Sequence, residues 1–354
     1  MPTEIINNII KAAVRAPSGD NSQPWRFLLK NDNTLCIFNL PDKDNPVFNF
    51  RQRGAYVAHG ALIENVIIAS ETHGYSTQIS LFPGGDPNLV AEIAFSSSAP
   101  KNNPLYPCIF SRATNRKPYA DTPLTAEQKN IFMETAKEFG VKFILAEERP
   151  KREALARAVS LAERIILEHR ALHAYFFNHV RWTEQEELRE RSGLYIKTFE
   201  LKPLQLLMFK LLRFWSVSSA LNILGLSRFI AKENSKIYSS GAAFGAIITA
   251  DTDKDFIAAG RVFQRIWLES AKMGLSMHPF AGVIYLAQRV FSGDTATLSK
   301  AHNEAVKKTY FEIQNALGVS SGTISMLFRI GSDGEPSARS SRVYPELSML
   351  TEKR

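Results

Sequence analysis

The chain has 354 residues, 45% of them hydrophobic, and a formal net charge of +8, so it can bury a sizeable core as one large or two small soluble domains. Two cysteines, Cys36 and Cys108, lack metal-ligand spacing and are too few for a disulfide framework, which argues against an oxidising compartment. The 43 Lys and Arg are scattered, with no run of five and no helix-turn-helix, zinc-finger or RNP-like pattern; no nucleic-acid partner is expected.

The N-terminal stretch carries Glu4 and no continuous apolar run before a cleavage-like site, and a cytoplasmic location is the expectation. Hydrophobic periodicity predicts a helix over 4–16, strands over 25–30 and 34–39, and a helix over 56–73 that Gly74 closes. A Pro/Gly-rich loop then leads into a strand over 89–95, and 99–107 reads as a connector. A helix follows over 125–138, opened by Thr125 and Gln128 as a capping box, then a strand over 141–147 and one long helix from 151 to about 191. The last third adds a strand over 242–250, helices over 256–273 and 295–317, and a strand over 325–331. Strands and helices interleave without regular βαβ spacing, so the expected class is α+β rather than a doubly wound sheet.

Residues 201–230 form the most apolar stretch, but Lys210, Arg213 and Arg228 interrupt it. Each central charge costs roughly 2.5 to 3.5 kcal/mol on insertion scales, which rules against a spanning helix. Leu204, Leu207, Met208, Leu211 and Leu212 recur at helical spacing and predict a helix with one buried face. Core packing or a lid over a pocket ranks above an interfacial membrane helix, and membrane association is not expected.

An internal repeat stands out. Residues 59–77 align without gaps to 259–277, and Gly60, Ser70, Gly74 and Ser76 fall on Gly260, Ser270, Gly274 and Ser276. Helix periodicity matches apolar positions, but it does not fix two glycines and two serines. Two related halves are expected, with the boundary between 99 and 111, giving halves of 1–110 and 111–354.

Nucleotide cradles such as Gly-x-Gly-x-x-Gly and the P-loop are absent, as are the Gly-x-Ser-x-Gly and His-Glu-x-x-His motifs. His169 and His173, four apart between charged neighbours, read as a surface pair rather than a metal site, and no metal is expected. What remains are anion-reading clusters: Arg112, Thr114 and Arg116, alternating so that an extended segment would aim all three at one phosphate, and Arg339, Ser340, Ser341 and Arg342 near the C-terminus.

Nearly the whole chain resembles the FMN-dependent nitroreductase superfamily. Ala16, Pro17, Ser18, Asn21, Gln23, Pro24 and Trp25 resemble its Ala-Pro-Ser-x-x-Asn-x-Gln-Pro-Trp motif, the most specific signal in the sequence. Arg112, Thr114 and Arg116 are similar to the Arg-x-Ser-x-Arg that holds the flavin phosphate, with Thr for Ser. Residues 274–282 resemble the segment whose backbone N–H reaches flavin N5, with Ala281 where Glu is usual; 327–331 and Arg342 resemble the final strand and its basic residue.

The resemblance implies a nitroreductase-like α+β fold of mixed or antiparallel sheets packed with helices, its two intertwined halves joined in one chain, as in the mycobacterial Acg branch. One flavin site is then formed from both halves. Its implied residues are Pro17, Ser18, Gly19, Asn21, Gln23, Arg112, Thr114, Arg116, Pro279, Phe280, Ala281, Gly282, Arg339 and Arg342. The implied cofactors are FMN and, as electron donor, NAD(P)H; the implied partner is a small-molecule acceptor such as a nitroaromatic or quinone. No side chain need act as general acid or nucleophile, Trp25 packs the loop on the core, and 194–236 is the lid candidate. The alternative is a lidded protein that sequesters FMN, and the assembly is either a monomeric pseudo-dimer or a homodimer.

Overall fold

The computed structural model describes residues 1–31, 33–344 and 348–349. Helix α1 (Thr3–Ala13) presents Ile6, Ile9, Ile10 and Ala13 to the core, the i, i+3, i+4, i+7 stripe of an amphipathic helix. Strands β1 (Trp25–Asn31) and β2 (Thr34–Asn39) precede helix α2 (Arg53–Thr72), followed by β3 (Tyr75–Leu81) and β4 (Leu89–Ser97). After α3 (Tyr106–Ser111) and α4 (Ala126–Glu138) come β5 (Lys142–Ala146), α5 (Arg149–Val159), α6 (Leu161–Glu168) and α7 (Arg170–His179). The short β6 (Val180–Arg181), α8 (Glu184–Glu190) and β7 (Leu194–Tyr195) lead to α9 (Pro203–Leu212), α10 (Trp215–Ile223) and α11 (Leu226–Tyr238). The chain continues through β8 (Ala243–Thr249), α12 (Asp253–Lys272), β9 (Ser276–Pro279), α13 (Gly282–Phe291), α14 (Lys300–Leu317), β10 (Thr323–Gly331) and β11 (Ser348–Met349).

The sequence repeat is a repeat of topology. One sheet has the order β1-β2-β4-β3 with β11 added parallel to β1; the other has the order β5-β8-β10-β9. Every other neighbouring pair in both is antiparallel, and in each the long helix α2 or α12 follows the second strand. The fold is therefore α+β with two related halves, and they are intertwined because β11, from the chain's end, pairs with β1.

The aligned residues explain why the repeat survives. Helices α2 and α12 cross at Gly60 and Gly260: a Cβ on Gly60 would lie 2.1 Å from the Ile257 carbonyl oxygen, and one on Gly260 would lie 2.0 Å from that of Val57. Ser70 and Ser270 both return their hydroxyls to the carbonyl four residues earlier, and Gly74 and Gly274 both adopt positive φ, 81° and 72°, where the helices end. Beside the crossing, the fully buried Glu64 receives Arg261 Nε at 3.0 Å and Arg265 Nε at 2.7 Å, while Gln264 Nε2 donates to Asn65 Oδ1 at 2.8 Å. Each half's core takes residues from the other half's long helix, Ile257 and Leu268 in one and Val57 in the other.

Several sequence expectations are revised. The long helix of 151–191 is α5, α6, α7 and α8, broken where His169 takes extended angles and where Val180 begins a strand bridge. The helix over 295–317 starts only at Lys300, with Ser299 accepting from the His302 N–H as its cap. The alternating half-exposed strand β3 and helix α13 were not anticipated, while the Thr125 capping box is present. His173 is not a surface residue: it is buried, 2.7 Å from the Leu212 carbonyl oxygen through Nε2, with its ring against Phe177 and Trp215. His169 instead caps α7.

His59 in α2 is fully buried, edge-on to Trp25, with Nε2 donating to Asn39 Oδ1 at 3.1 Å. Burial lowers its pKa to about 3. The unfolded chain takes up that proton near pH 6.5 and the folded chain does not, so stability falls as pH drops through this window, by about 2 kcal/mol between pH 7 and 5. Urea unfolding at those two pH values should show a correspondingly smaller loss for His59→Gln; an equal loss would mean that His59 is not the group responsible.

Candidate functional site

The Pro-Ser loop forms because α1 stops and the chain turns sharply before β1. Asp20, Asn21 and Gln23 all take positive φ, 46°, 56° and 52°, a strained arrangement for residues with side chains that surrounding bonds must hold. Ser18 Oγ accepts from the Gln23 N–H at 3.0 Å. Gln23 is the clamp: Nε2 donates to Asn21 O and Arg191 O at 3.2 and 2.8 Å, and Oε1 accepts from the Val343 N–H at 2.9 Å. Asn21 Nδ2 donates to Ser341 O at 3.1 Å. The loop therefore joins two distant segments, 187–193 and 341–343. Pro17 and Ser18 are half-buried; Gly19 is exposed, and a Cβ there would come within 3.3 Å of Asp44 Oδ2.

An arginine cluster lies behind the loop. Arg112 caps the C-terminal end of α3, donates to Arg15 O and stacks over Trp267 at 4.3 Å. Burial, then the charges of Arg342, Arg15 and Arg339, push its pKa well below the usual arginine range. Arg342 falls to about 10 from burial and Arg15, against the opposing influence of Glu187 and Tyr344. Among the described residues, Arg15, Arg112 and Arg342 have no carboxylate partner within ion-pair distance, and their buried Nε atoms have no hydrogen-bond partner. Arg339 is tethered to Glu335 and to Phe110 O. Buried, crowded guanidiniums with orphaned donors form a site that an anion would complete.

Within the chain, Arg112 and Arg116 have separate partners, Arg15 O for Arg112. Thr114 forms a bridge to Met277, and the Asn115 N–H donates to Met277 O at 3.1 Å. Arg116 follows, half-buried. Its Nη1 donates to Thr198 O at 3.2 Å; burial lowers its pKa, while Tyr238, Asp20, Tyr119 and Glu163 act in the opposite direction.

Those neighbours make a second polar cluster. Glu163 of α6 accepts from Asn234 Nδ2 at 2.6 Å and from the Tyr238 hydroxyl, and burial raises its pKa. Burial also raises Asp20, against His179 and Arg116, and lifts Asp44 to about 7 with help from the Asp20 charge. His278 of β9 is held well below its usual range by burial, then by Arg329 and Arg116. Its ring lies 4.4 Å from that of Phe280, and Tyr238 is 4.7 Å from Phe280. From there Pro279 ends β9, the Phe280 N–H donates to Leu327 O, and Ala281 is the N-cap of α13, with Gly282 against Ala162 of α6. Residues 114–115 and 279–282 are thus joined through β9.

Sequence reasoning missed Arg15, Asp44, Glu163, Tyr238 and His278. Arg15 stands directly before the Pro-Ser motif and adds to the positive charge, a usable signal; the others occupy ordinary helix, loop and strand positions with none. Within the lid candidate, β7 and the turn that follows it lie nearest the loop and Arg116, while α9–α11 pack on α5–α7.

The two related halves are intertwined, and the buried cluster of Arg15, Arg112 and Arg342 draws on segments near both ends of the chain. No protein-family model matches the chain. By sequence it is 27% identical over 288 residues to "Uncharacterized protein MT1398" of Mycobacterium tuberculosis, covering 79% of this chain and 39% of that protein. It is 30% identical over 197 residues to "Putative NAD(P)H nitroreductase acg" of the same organism, covering 53% of this chain and 56% of that one. The chain thus spans about half the length, or less, of these curated relatives. Among solved structures, a nitroreductase-titled protein from Anabaena variabilis matches at a TM-score of 0.48 and 9% identity over 93% of this chain and 88% of that one. A Bacteroides fragilis nitroreductase titled with bound FMN matches at 0.34 and 11% over 68% and 95%. Over 197 residues the chain is thus similar in sequence to a protein named as a putative NAD(P)H nitroreductase. No single described helix is long and apolar enough to cross a membrane.

Proposed function

We propose that the chain is an FMN-dependent oxidoreductase of nitroreductase type, with halves 1–110 and 111–354 sharing one flavin site under a lid within 194–236. The observation that carries this is the cluster of Arg15, Arg112 and Arg342 with orphaned buried Nε donors, which suits a phosphate monoester. FMN, when bound, supplies a two-electron carrier between NAD(P)H and a small acceptor such as a nitroaromatic or quinone. The chain's own work is binding and orientation. Arg112, Arg342 and Arg15 neutralise the phosphate, with Arg339 at the rim and Thr114 in support. Pro17, Ser18, Gly19 and Asn21 would contact the flavin, in a loop whose positive-φ Asp20, Asn21 and Gln23 are held by the Gln23 side chain. Pro279, Phe280, Ala281 and Gly282 would contact it as well, the Ala281 backbone N–H at the start of α13 serving as a donor to the ring.

Sequestration of flavin is the second reading, favoured by the clamp from Gln23 to Arg191 O and the Val343 N–H, which ties the loop beneath the covering segment. Anaerobic addition of NADH or NADPH separates the readings. An oxidoreductase loses its yellow absorbance within a turnover time and regains it on addition of a quinone; a sequestering protein stays oxidised. Protein that takes up no FMN defeats both.

A further inference from the structure

Helix α9 does not bury the face that its spacing suggests. Leu204, Leu207, Met208 and Leu211, one stripe of the helix, are exposed, Leu204 at 72%. The seam that packs inward is Leu206, Phe209 and Leu212, because the helix is apolar nearly all round and periodicity alone leaves two candidate faces. Turns on either side of α10 add Phe214, Ile223 and Leu224, the last two at 86% and 83%, and α11 adds Phe229 at 61%. So many large apolar side chains on successive elements form a functional surface rather than scattered exposure.

Its charges identify the occupant. From 201 to 232 there are five cationic side chains, Lys202, Lys210, Arg213, Arg228 and Lys232, and no acidic one. All five are exposed, and none has a carboxylate partner within ion-pair distance among the described residues. By contrast, Lys236, just beyond, pairs with Glu233. α9 and α10 meet at a bend of 104°, so the pair does not form a straight span; it can present side chains to an interface. The surface is held rigidly from beneath: Asn222 Nδ2 donates to Leu167 O at 2.6 Å and Ser227 Oγ to Glu168 at 2.6 Å.

We infer that α9, α10 and the start of α11 form a docking surface for an anionic lipid bilayer, inserting Leu204, Phe214, Ile223 and Leu224 while the five cations contact lipid phosphates. This holds whatever the site between the halves binds. The test is co-sedimentation of the full chain with vesicles of phosphatidylcholine alone or with 40% phosphatidylglycerol. Expected is at least tenfold tighter association with the anionic vesicles, weakened by 0.5 M salt and reduced at least tenfold in Ile223→Asp/Leu224→Asp, whose thermal melting stays unchanged because both side chains face solvent. Equal partition of the variant and the native chain overturns the inference, as does absence of binding to either vesicle. So does a concentration-dependent dimer on size exclusion that the variant abolishes without any vesicle effect, which would assign the surface to a second copy.

Discussion

Arg112→Met is expected to weaken FMN binding about 10- to 150-fold and, in the same protein without flavin, to raise the melting temperature. The first effect follows from losing charge-assisted hydrogen bonds to a phosphate, at roughly 1.5 to 3 kcal/mol. The second follows from the cost of the empty cluster: Arg112 is buried with the charges of Arg342, Arg15 and Arg339 acting on it and an unpaired Nε, so replacing it with an apolar chain removes repulsion and an orphaned donor. Methionine keeps a contact with the Trp267 face. Opposite signs in the two measurements distinguish a binding residue from a structural one. Arg342→Met should behave alike. Arg116→Met should change flavin affinity only a few-fold, since Arg116 faces Asp20, Glu163 and Tyr238. Fluorescence titration with FMN and thermal melting of the flavin-free proteins supply both readings, and unchanged affinity in Arg112→Met would remove the cluster from the site.

The sequence made the two-half architecture legible because its signal was chemical rather than periodic. Only glycine satisfies the α2–α12 crossing, glycine is favoured at the two left-handed helix ends, and both copies have it. Where the signal was periodic alone, it misled. Residues 151–191 have apolar spacing that suits one helix, yet His169 breaks it, with its Nε2 3.0 Å from Thr297 O, a partner invisible in local sequence. The face of α9 was misassigned for the same reason: a helix apolar on both sides says nothing of which neighbour it meets.

The site divides along a similar line. The Pro-Ser loop was readable because its positive-φ residues and its clamp are consecutive, and Arg112 and Arg342 because two arginine-rich segments stand out against ordinary surroundings. Convergence in space was not readable. Arg116 and Glu163 influence each other only because β9 draws the 112–116 segment onto the second sheet and α6 lies alongside Gly282. Spacing along the segment could not say that Arg112 donates to Arg15 O while Arg116 donates to Thr198 O.

Gly60→Ala and Gly260→Ala are each expected to cost more than about 4 kcal/mol, at the extreme of single substitutions. The atoms a new methyl would strike, Ile257 O at 2.1 Å and Val57 O at 2.0 Å, are backbone carbonyls of the facing helix, which have no rotamer by which to yield. Moving the helices apart would open both cores at once, because Val57 belongs to one and Ile257 to the other, and would pull Gln264 from Asn65 and Arg261 from Glu64. Ser70→Ala and Ser270→Ala remove only a hydroxyl bonded within its own helix, at about 1 kcal/mol, and serve as controls on the same two helices. Urea unfolding of the soluble variants, or loss of soluble protein for the glycine pair alone, measures the difference. Equivalent losses at Gly60 and Gly260 are required if the crossing is a true two-fold element. A large loss at one and a small loss at the other would mean that the matching sequences of the two halves do not make matching contacts. The proposed flavin site draws on segments of both halves, so even a partly folded Gly60→Ala protein should bind FMN poorly.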